Sequence, residues 1–452
     1  MSKQIKTNSK RDLWGSNLGF ILACIGSAVG MGNIWLFPAR VANYGGSFLL
    51  AYFIFVALIG FTGVIGEMGL GRRAKSGPVG AFGKAMAHKK SSLKGLGKSL
   101  GQIPMVGSLM LALGYTVVMG WIFKYLFGSL TGSALSYGSH IGEVDGYGAA
   151  FGETASAFGN NTWLIVALLV TFLIMVAGVS GGIEKANKVM IPLFYLLFIG
   201  LAVYISTQPG AANGYRWMFT IDPKIISDPM CWVYALGQAF FSLSLAGSGT
   251  VIYGSYLDDR EDIVKSAAYV SIFDTLAALL AALVIIPAMA IAGVTQFQGG
   301  PGLMFIYLPN LFASMQGGQI ICIVFFSAVL FAGLTSLVNL YETPVSNIQD
   351  SFGKTRKFSV ATVGAIGLVV ALCIQGIVGQ WMDFVSIYIC PLGAGLAAVM
   401  FAWFWGREAF EDELSKGRKN GIAESYYPLY KYVFCGLTIL VFILGIIKGG
   451  IG

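Results

Sequence analysis

Uncharged apolar runs long enough to cross a bilayer recur along the whole chain, separated by short polar loops. A perpendicular helix needs roughly 20 apolar residues to span the hydrocarbon core. Within lipid every backbone polar group must be bonded internally, which leaves only helices and closed barrels. Barrel strands show weak ten-residue alternation, whereas these runs are continuous. Composition agrees: 56% of residues are hydrophobic and 11% charged, against about 25% charged in ordinary soluble domains. A soluble globule is excluded, and the fold class read from the sequence is an all-α polytopic membrane protein.

Eleven transmembrane helices are expected, near 13–43, 46–71, 102–129, 162–180, 187–207, 230–257, 263–295, 318–349, 358–378, 383–405 and 428–448. Several exceed the length of a perpendicular span, so tilts or breaks are expected. Cations cluster on one side. Lys3, Lys6, Lys10 and Arg11 precede the first run, and Arg72, Arg73, Lys75, Lys84, Lys89, Lys90, Lys94 and Lys98 follow the second. The loop 130–160 has no Lys or Arg but carries Glu143, Asp145 and Glu153. The positive-inside rule places the N-terminus in the cytoplasm; an odd number of spans then puts the C-terminus outside a plasma or inner membrane. The net charge of +8 follows from these loops and implies no nucleic-acid partner. The six cysteines all sit in apolar stretches without a C-x-x-C pair and read as small hydrophobes. His88 and His140 are the only histidines, too few for a histidine metal centre. Gly97-Lys98-Ser99 fails as a phosphate loop because position 92 is Ser.

Two runs are interrupted at mid-depth. Gly26 to Asn33 packs Gly26, Gly30 and Gly32 beside Asn33, and Ser242 to Gly249 reads Ser-Leu-Ser-Leu-Ala-Gly-Ser-Gly. A glycine costs about 1 kcal/mol in a helix interior, and unsatisfied backbone in lipid costs several. Either segment alone can be glycine-mediated helix packing. Together they fall in the first and sixth runs, the spacing of two inverted five-helix halves with discontinuous helices 1 and 6 and a site at the midplane. The expected organisation is a cytoplasmic segment 1–12, a first repeat 13–207, a second repeat 230–405 and a final span 428–448.

Asp274 lies nine residues past Lys265, about 13.5 Å along a helix and near the bilayer centre. A bound inorganic cation or a proton can compensate a carboxylate there. Ala332, Thr335 and Ser336 share one helix face; such hydroxyls either bond back to their own helix or offer oxygen ligands to a hard cation.

Gly30-Met31-Gly32-Asn33-Ile34-Trp35 before Phe37-Pro38, Gly237-Gln238-Ala239-Phe240-Phe241-Ser242-Leu243-Ser244-Leu245, and Ala332-Gly333-Leu334-Thr335-Ser336 resemble the neurotransmitter:sodium symporter family, in its bacterial amino-acid branch. The resemblance implies the LeuT-type fold, two sodium ions and transport by alternating access. It implies a first sodium site at Ala28, Asn33, Ser242 and Asp274, completed by the substrate carboxylate. It implies a second at Gly26, Val29, Ala332, Thr335 and Ser336. Substrate would meet Ala28, Gly30, Met31, Gly32, Tyr115, Phe241, Ser242, Ser244 and Ala246, with its side chain toward Leu111, Phe241, Gly247, Ser336 and Leu340. Arg11, Asp350, Ser255 and Tyr256 would form a cytoplasmic gate, with Trp14 plugging the inner vestibule.

Some positions depart from the family pattern. Gly30 stands where monoamine-transporting relatives place an acid, which suits a substrate bringing its own carboxylate. Gly247 replaces a larger residue and makes room for a ring. The outer-gate arginine is Leu36; Arg40, one turn on, is its candidate replacement, with Asp383 as acidic partner, unless Arg40 simply snorkels to the interface. Gly182 and Pro192 match a motif that lets the fifth span unwind in some relatives. Chloride is not expected to be required: the resemblance implies that relatives which bind it hold it in the vicinity of Tyr52, Gln238 and Ser242, where Asp274 would already place a negative charge. The function expected is sodium-coupled import of a neutral, hydrophobic or aromatic L-amino acid. Proton coupling through Asp274, or a receptor that binds without translocation, are the alternatives. No converging nucleophile, base and acid suggest an enzyme.

Overall fold

The computed structural model describes residues 12–137, 144–245, 248–293, 299–419 and 421–451. Arg11, Ala246 and Gly247 lie outside the described residues. Among those described there are helices and no strand. Each apolar run expected from the sequence falls on helix, from Asn17–Ala28 to Cys435–Lys448. Some cross without interruption, such as Lys94–Thr131, Ile263–Ile291 and Gly318–Phe352. Fully apolar side chains on their outer faces, including Leu173, Ile320 and Ile447, stay exposed. In lipid that costs nothing, because acyl chains are as apolar as leucine.

The first run is two helices. Asn17–Ala28 begins at Ser16, whose hydroxyl accepts from the Gly19 amide at 3.0 Å, and it stops where Val29 turns extended at ψ 113°. Helix resumes through a wide turn at Gly32–Leu36 into Phe37–Phe55. The sixth run starts at Pro229 behind the Asp228 cap, ends at Ser242 and resumes at Gly249–Gly254. Ser244 and Ser248 in its break hold φ of +56° and +52°, a left-handed region that costs a residue with a Cβ about 1–2 kcal/mol. Phe37–Phe55 is kinked between the first and second runs at Gly45, with φ +58° and ψ −148°, and the Gly46 amide donates to the Thr220 carbonyl at 2.8 Å.

Fully buried charges hold the second span to the segment Gly406–Ser415. Arg72 Nε meets Glu413 Oε1 at 2.6 Å with neither side chain exposed, and Arg72 Nη1 donates to the Glu261 carbonyl at 2.6 Å. Glu413 also meets Lys416 Nζ at 2.8 Å and Arg73 Nη1 at 3.6 Å. Removing Arg72 therefore takes away its one fully buried partner and leaves two partly exposed ones, a loss toward the lower end of the about 3–5 kcal/mol for breaking a buried pair. Arg72→Met is therefore expected to lower the thermal-unfolding midpoint in detergent sharply. Arg72→Met/Glu413→Leu should recover most of the loss; a double variant as unstable as the single would contradict the buried-charge account.

Candidate functional site

The two helix breaks meet at the middle of the bundle. In the first, backbone amides left without helical partners are taken by side chains: Gly30 N–H donates to Asn33 Oδ1 at 2.9 Å, and Met31 N–H to the Tyr115 hydroxyl at 2.9 Å. The Asn33 amide turns outward and donates to Asp274 Oδ1 at 2.8 Å and Ser242 Oγ at 3.1 Å, while Ser242 Oγ donates to Asp274 Oδ2 at 2.7 Å. The side chains of Asn33, Ser242 and Asp274, expected together from the sequence, thus converge, and Asp274 is fully buried. No Lys or Arg among the described residues pairs with it. Neutral donors on a buried carboxylate compensate it less than a cation can.

A second oxygen cluster sits on the other side of the first break. Ser336 Oγ lies 3.1, 3.3 and 2.8 Å from the carbonyl oxygens of Gly26, Ser27 and Val29, and Thr335 Oγ1 lies 2.9 Å from the Ala332 carbonyl and 3.0 Å from that of Phe331. A hydroxyl carries one hydrogen, so Ser336 can satisfy only one of its three carbonyl neighbours at a time. The surplus is a set of neutral hard oxygens of the kind that suits an alkali or alkaline-earth cation and not a transition metal. No cluster of His, Cys, Asp and Glu suited to a metal occurs among the described residues.

Between the clusters is a cavity of about 110 Å³. Ala28, Gly30, Met31, Gly32, Leu111, Tyr115, Phe241, Ser242, Ser244, Ser336 and Leu340 line it, as expected from the sequence. Ser27, Asn33 and Asn339 line it too. One end offers the Tyr115 hydroxyl and the broken backbone; the other offers Leu111, Phe241 and Leu340. Among the described residues, no lining side chain is charged. Ser244 Oγ donates to the Ser27 carbonyl at 2.5 Å, which ties the second break to the first.

Below the cavity, Trp14 Nε1 donates to the Tyr253 carbonyl at 3.1 Å, with its ring edge-on to Tyr253 at 5.1 Å. The Tyr256 hydroxyl donates to Glu342 Oε1 at 2.7 Å, and Arg356 grips both Glu342 oxygens at 2.9 and 2.8 Å. Ser255 Oγ turns to the Ile252 carbonyl, and Asp350 accepts from Ser76 Oγ at 3.3 Å. At the opposite end Arg40 stacks over Tyr234 at 3.6 Å, and Asp383 is exposed; no ion pair joins the two. The ring face offers the guanidinium an electrostatic partner in place of the carboxylate.

Buried acids that the sequence reading passed over belong to this region. Glu342 and Glu67 are both buried, and Glu67 accepts a hydrogen bond from Thr250 beside the sixth-span break. An acid inside an apolar run is itself a signal of function, and both were visible by that criterion.

Comparison with known proteins settles the family. Residues 11–141 and 148–449 match the model of the sodium:neurotransmitter symporter family. The chain belongs to that family. It is 31% identical over 431 residues to an uncharacterized sodium-dependent transporter of Methanocaldococcus jannaschii, covering 90% of this chain and 85% of the relative. It is 32% identical over 451 residues to the uncharacterized sodium-dependent transporter YhdH of Bacillus subtilis, covering 95% and 96%. Among solved structures, MhsT in complex with L-phenylalanine superposes with a TM-score of 0.83 at 33% identity, covering 96% of this chain and 99% of MhsT. The symporter family comprises multi-pass sodium-dependent transporters, not enzymes, and the LeuT-type all-α fold follows.

Proposed function

We propose that this symporter imports a neutral, hydrophobic or aromatic L-amino acid together with sodium. The observation that carries the reading is a cavity with a polar end, an apolar end and no charged side chain among its described lining residues, set between two oxygen clusters. A zwitterion would lay its carboxylate against the broken backbone and the Tyr115 hydroxyl, and its side chain against Leu111, Phe241 and Leu340. A charged side chain buried there unpaired would cost several kcal/mol. The relative MhsT was solved with L-phenylalanine, in keeping with this preference.

Asn33, Ser242 and Asp274, with the Ala28 carbonyl and the substrate carboxylate, would hold one sodium ion. Gly26, Val29, Ala332, Thr335 and Ser336 would hold a second. Substrate then completes the first ion's shell, so each stabilises the other's binding, and this mutual requirement couples the two fluxes. The helix breaks let the site open to one side of the membrane or the other by pivoting at residues that already lack helical bonds. With the N-terminus cytoplasmic and the C-terminus outside, inward movement of each net positive charge gains about 2.3 kcal/mol per 100 mV. Asp274 also supplies the fixed negative charge that makes a bound chloride unnecessary.

Uptake of radiolabelled L-phenylalanine into proteoliposomes tests this reading. Uptake should collapse when choline replaces sodium and persist when gluconate replaces chloride. Leucine, tyrosine and tryptophan should compete better than glutamate or lysine. Glutamate or lysine competing best would overturn the pocket assignment; uptake driven by a proton gradient without sodium would overturn the ion assignment. Sodium-dependent binding without counterflow would indicate a receptor instead.

A further inference from the structure

Asn187, on the fifth span Glu184–Ser206, is 1% exposed. Its amide nitrogen donates to the Ile183 carbonyl one turn back at 2.9 Å, which fixes which end of the carboxamide is which. The oxygen therefore faces the other way, and it has no hydrogen-bond partner among the described residues. An unsatisfied buried acceptor costs about 1–3 kcal/mol, so a group left in this state has a use or an occupant. It faces the first span just at the second oxygen cluster. A Cβ built on Gly26 would collide with Asn187 Oδ1 and come within 2.8 Å of Thr335 Cβ. Only a residue without a side chain lets the two oxygen-bearing residues come together over Gly26.

The same helix is anchored to the start of the first span. Glu184 Oε2 accepts from the Gly15 amide at 2.6 Å, and Glu184 Oε1 from Ser16 Oγ at 2.7 Å. Pro192, five residues past Asn187, has no amide hydrogen to give the Lys188 carbonyl. Asn187 thus sits on a locally weakened stretch of helix, with its free oxygen turned to the break.

We infer that the Asn187 carboxamide oxygen is a further sodium ligand, supplied by the fifth span to the ion held at Gly26, Val29, Ala332, Thr335 and Ser336. The inference rests on reading that cluster as a sodium site. It makes ion occupancy sensitive to the fifth span: withdrawing Asn187 removes one oxygen and loosens the ion toward the cytoplasmic end where Glu184 binds the first span.

Sodium titration of thermal stability, balanced with choline and without substrate, tests this through the midpoint of sodium-induced protection. A general loss of stability lowers the whole curve, whereas loss of a ligand moves its midpoint. Asn187→Leu keeps the branched shape, loses both the donor and the oxygen, and should raise the midpoint at least three-fold. Asn187→Asp keeps an oxygen and loses the donor to Ile183, and should hold the midpoint at or below the wild-type value. Asn187→Asp behaving like Asn187→Leu would show that the Ile183 bond, and not the oxygen, matters, and would overturn the inference. Thr335→Val is the control. A shifted midpoint in Thr335→Val with an unshifted one in Asn187→Leu overturns the ligand but keeps the site; unshifted midpoints in both overturn the site itself.

Discussion

Asp274→Ala is expected to abolish sodium-dependent uptake and to raise the sodium concentration for half-maximal protection by on the order of 100-fold, the equivalent of about 3 kcal/mol. The carboxylate is fully buried, and its partners are the neutral side chains of Asn33 and Ser242. A cation bound beside it has no other fixed negative charge among the cavity-lining residues to compensate it. Asp274→Asn retains one oxygen and the shape but loses the charge, so its sodium affinity should fall between those of wild type and Asp274→Ala. Sodium titration of the three proteins without substrate checks the order. An unchanged midpoint in Asp274→Ala would remove this residue from the ion site and with it the account of chloride independence.

Gly30→Ala is expected to reduce L-phenylalanine binding at least ten-fold, with a much smaller change in sodium protection in the absence of substrate, since the added methyl presses harder on Tyr115 than on Ser336. A Cβ at this position would lie 2.7 Å from the Tyr115 hydroxyl and 3.0 Å from Ser336 Oγ. Tyr115 would have to swing away from the Met31 amide, which it accepts from at 2.9 Å, and the polar end of the cavity would be filled by a methyl group. Backbone strain is not the cause, since Gly30 does not adopt positive φ; the cost is steric and falls on the substrate's place. Equilibrium binding of labelled L-phenylalanine at saturating sodium, set beside the sodium titration without substrate, separates the two effects. Undiminished binding in Gly30→Ala would move the carboxylate end of the substrate elsewhere.

Legibility in the sequence followed the range of the interaction. The helices and their approximate limits were visible because a lipid environment imposes one rule on every span, a run of apolar residues with its backbone bonded to itself. The breaks were visible for the opposite reason, since glycine and serine clusters such as Gly30 to Asn33 and Ser242 to Gly249 violate that rule in a short stretch. The membership of the cavity was legible through resemblance, because its residues lie in the same motifs as the breaks.

Contacts between distant spans were decided by packing. Arg40, read as the partner of Asp383, turns to the Tyr234 ring, a choice that depends on which side chain the sixth span presents at that depth. Glu342 is an isolated acid in an apolar run until folding brings Arg356 and Tyr256 to it. Asn187 carries no signal as one amide in the basic segment Glu184 to Lys188; only the approach of Gly26 leaves its oxygen facing the first span. The sequence alone determined where the chain crosses the membrane and where its helices break, because those depend on each residue's transfer from water to lipid and on local backbone bonding. The tertiary structure alone decided which charges and oxygens meet across spans, because that depends on side-chain geometry between residues far apart in the chain.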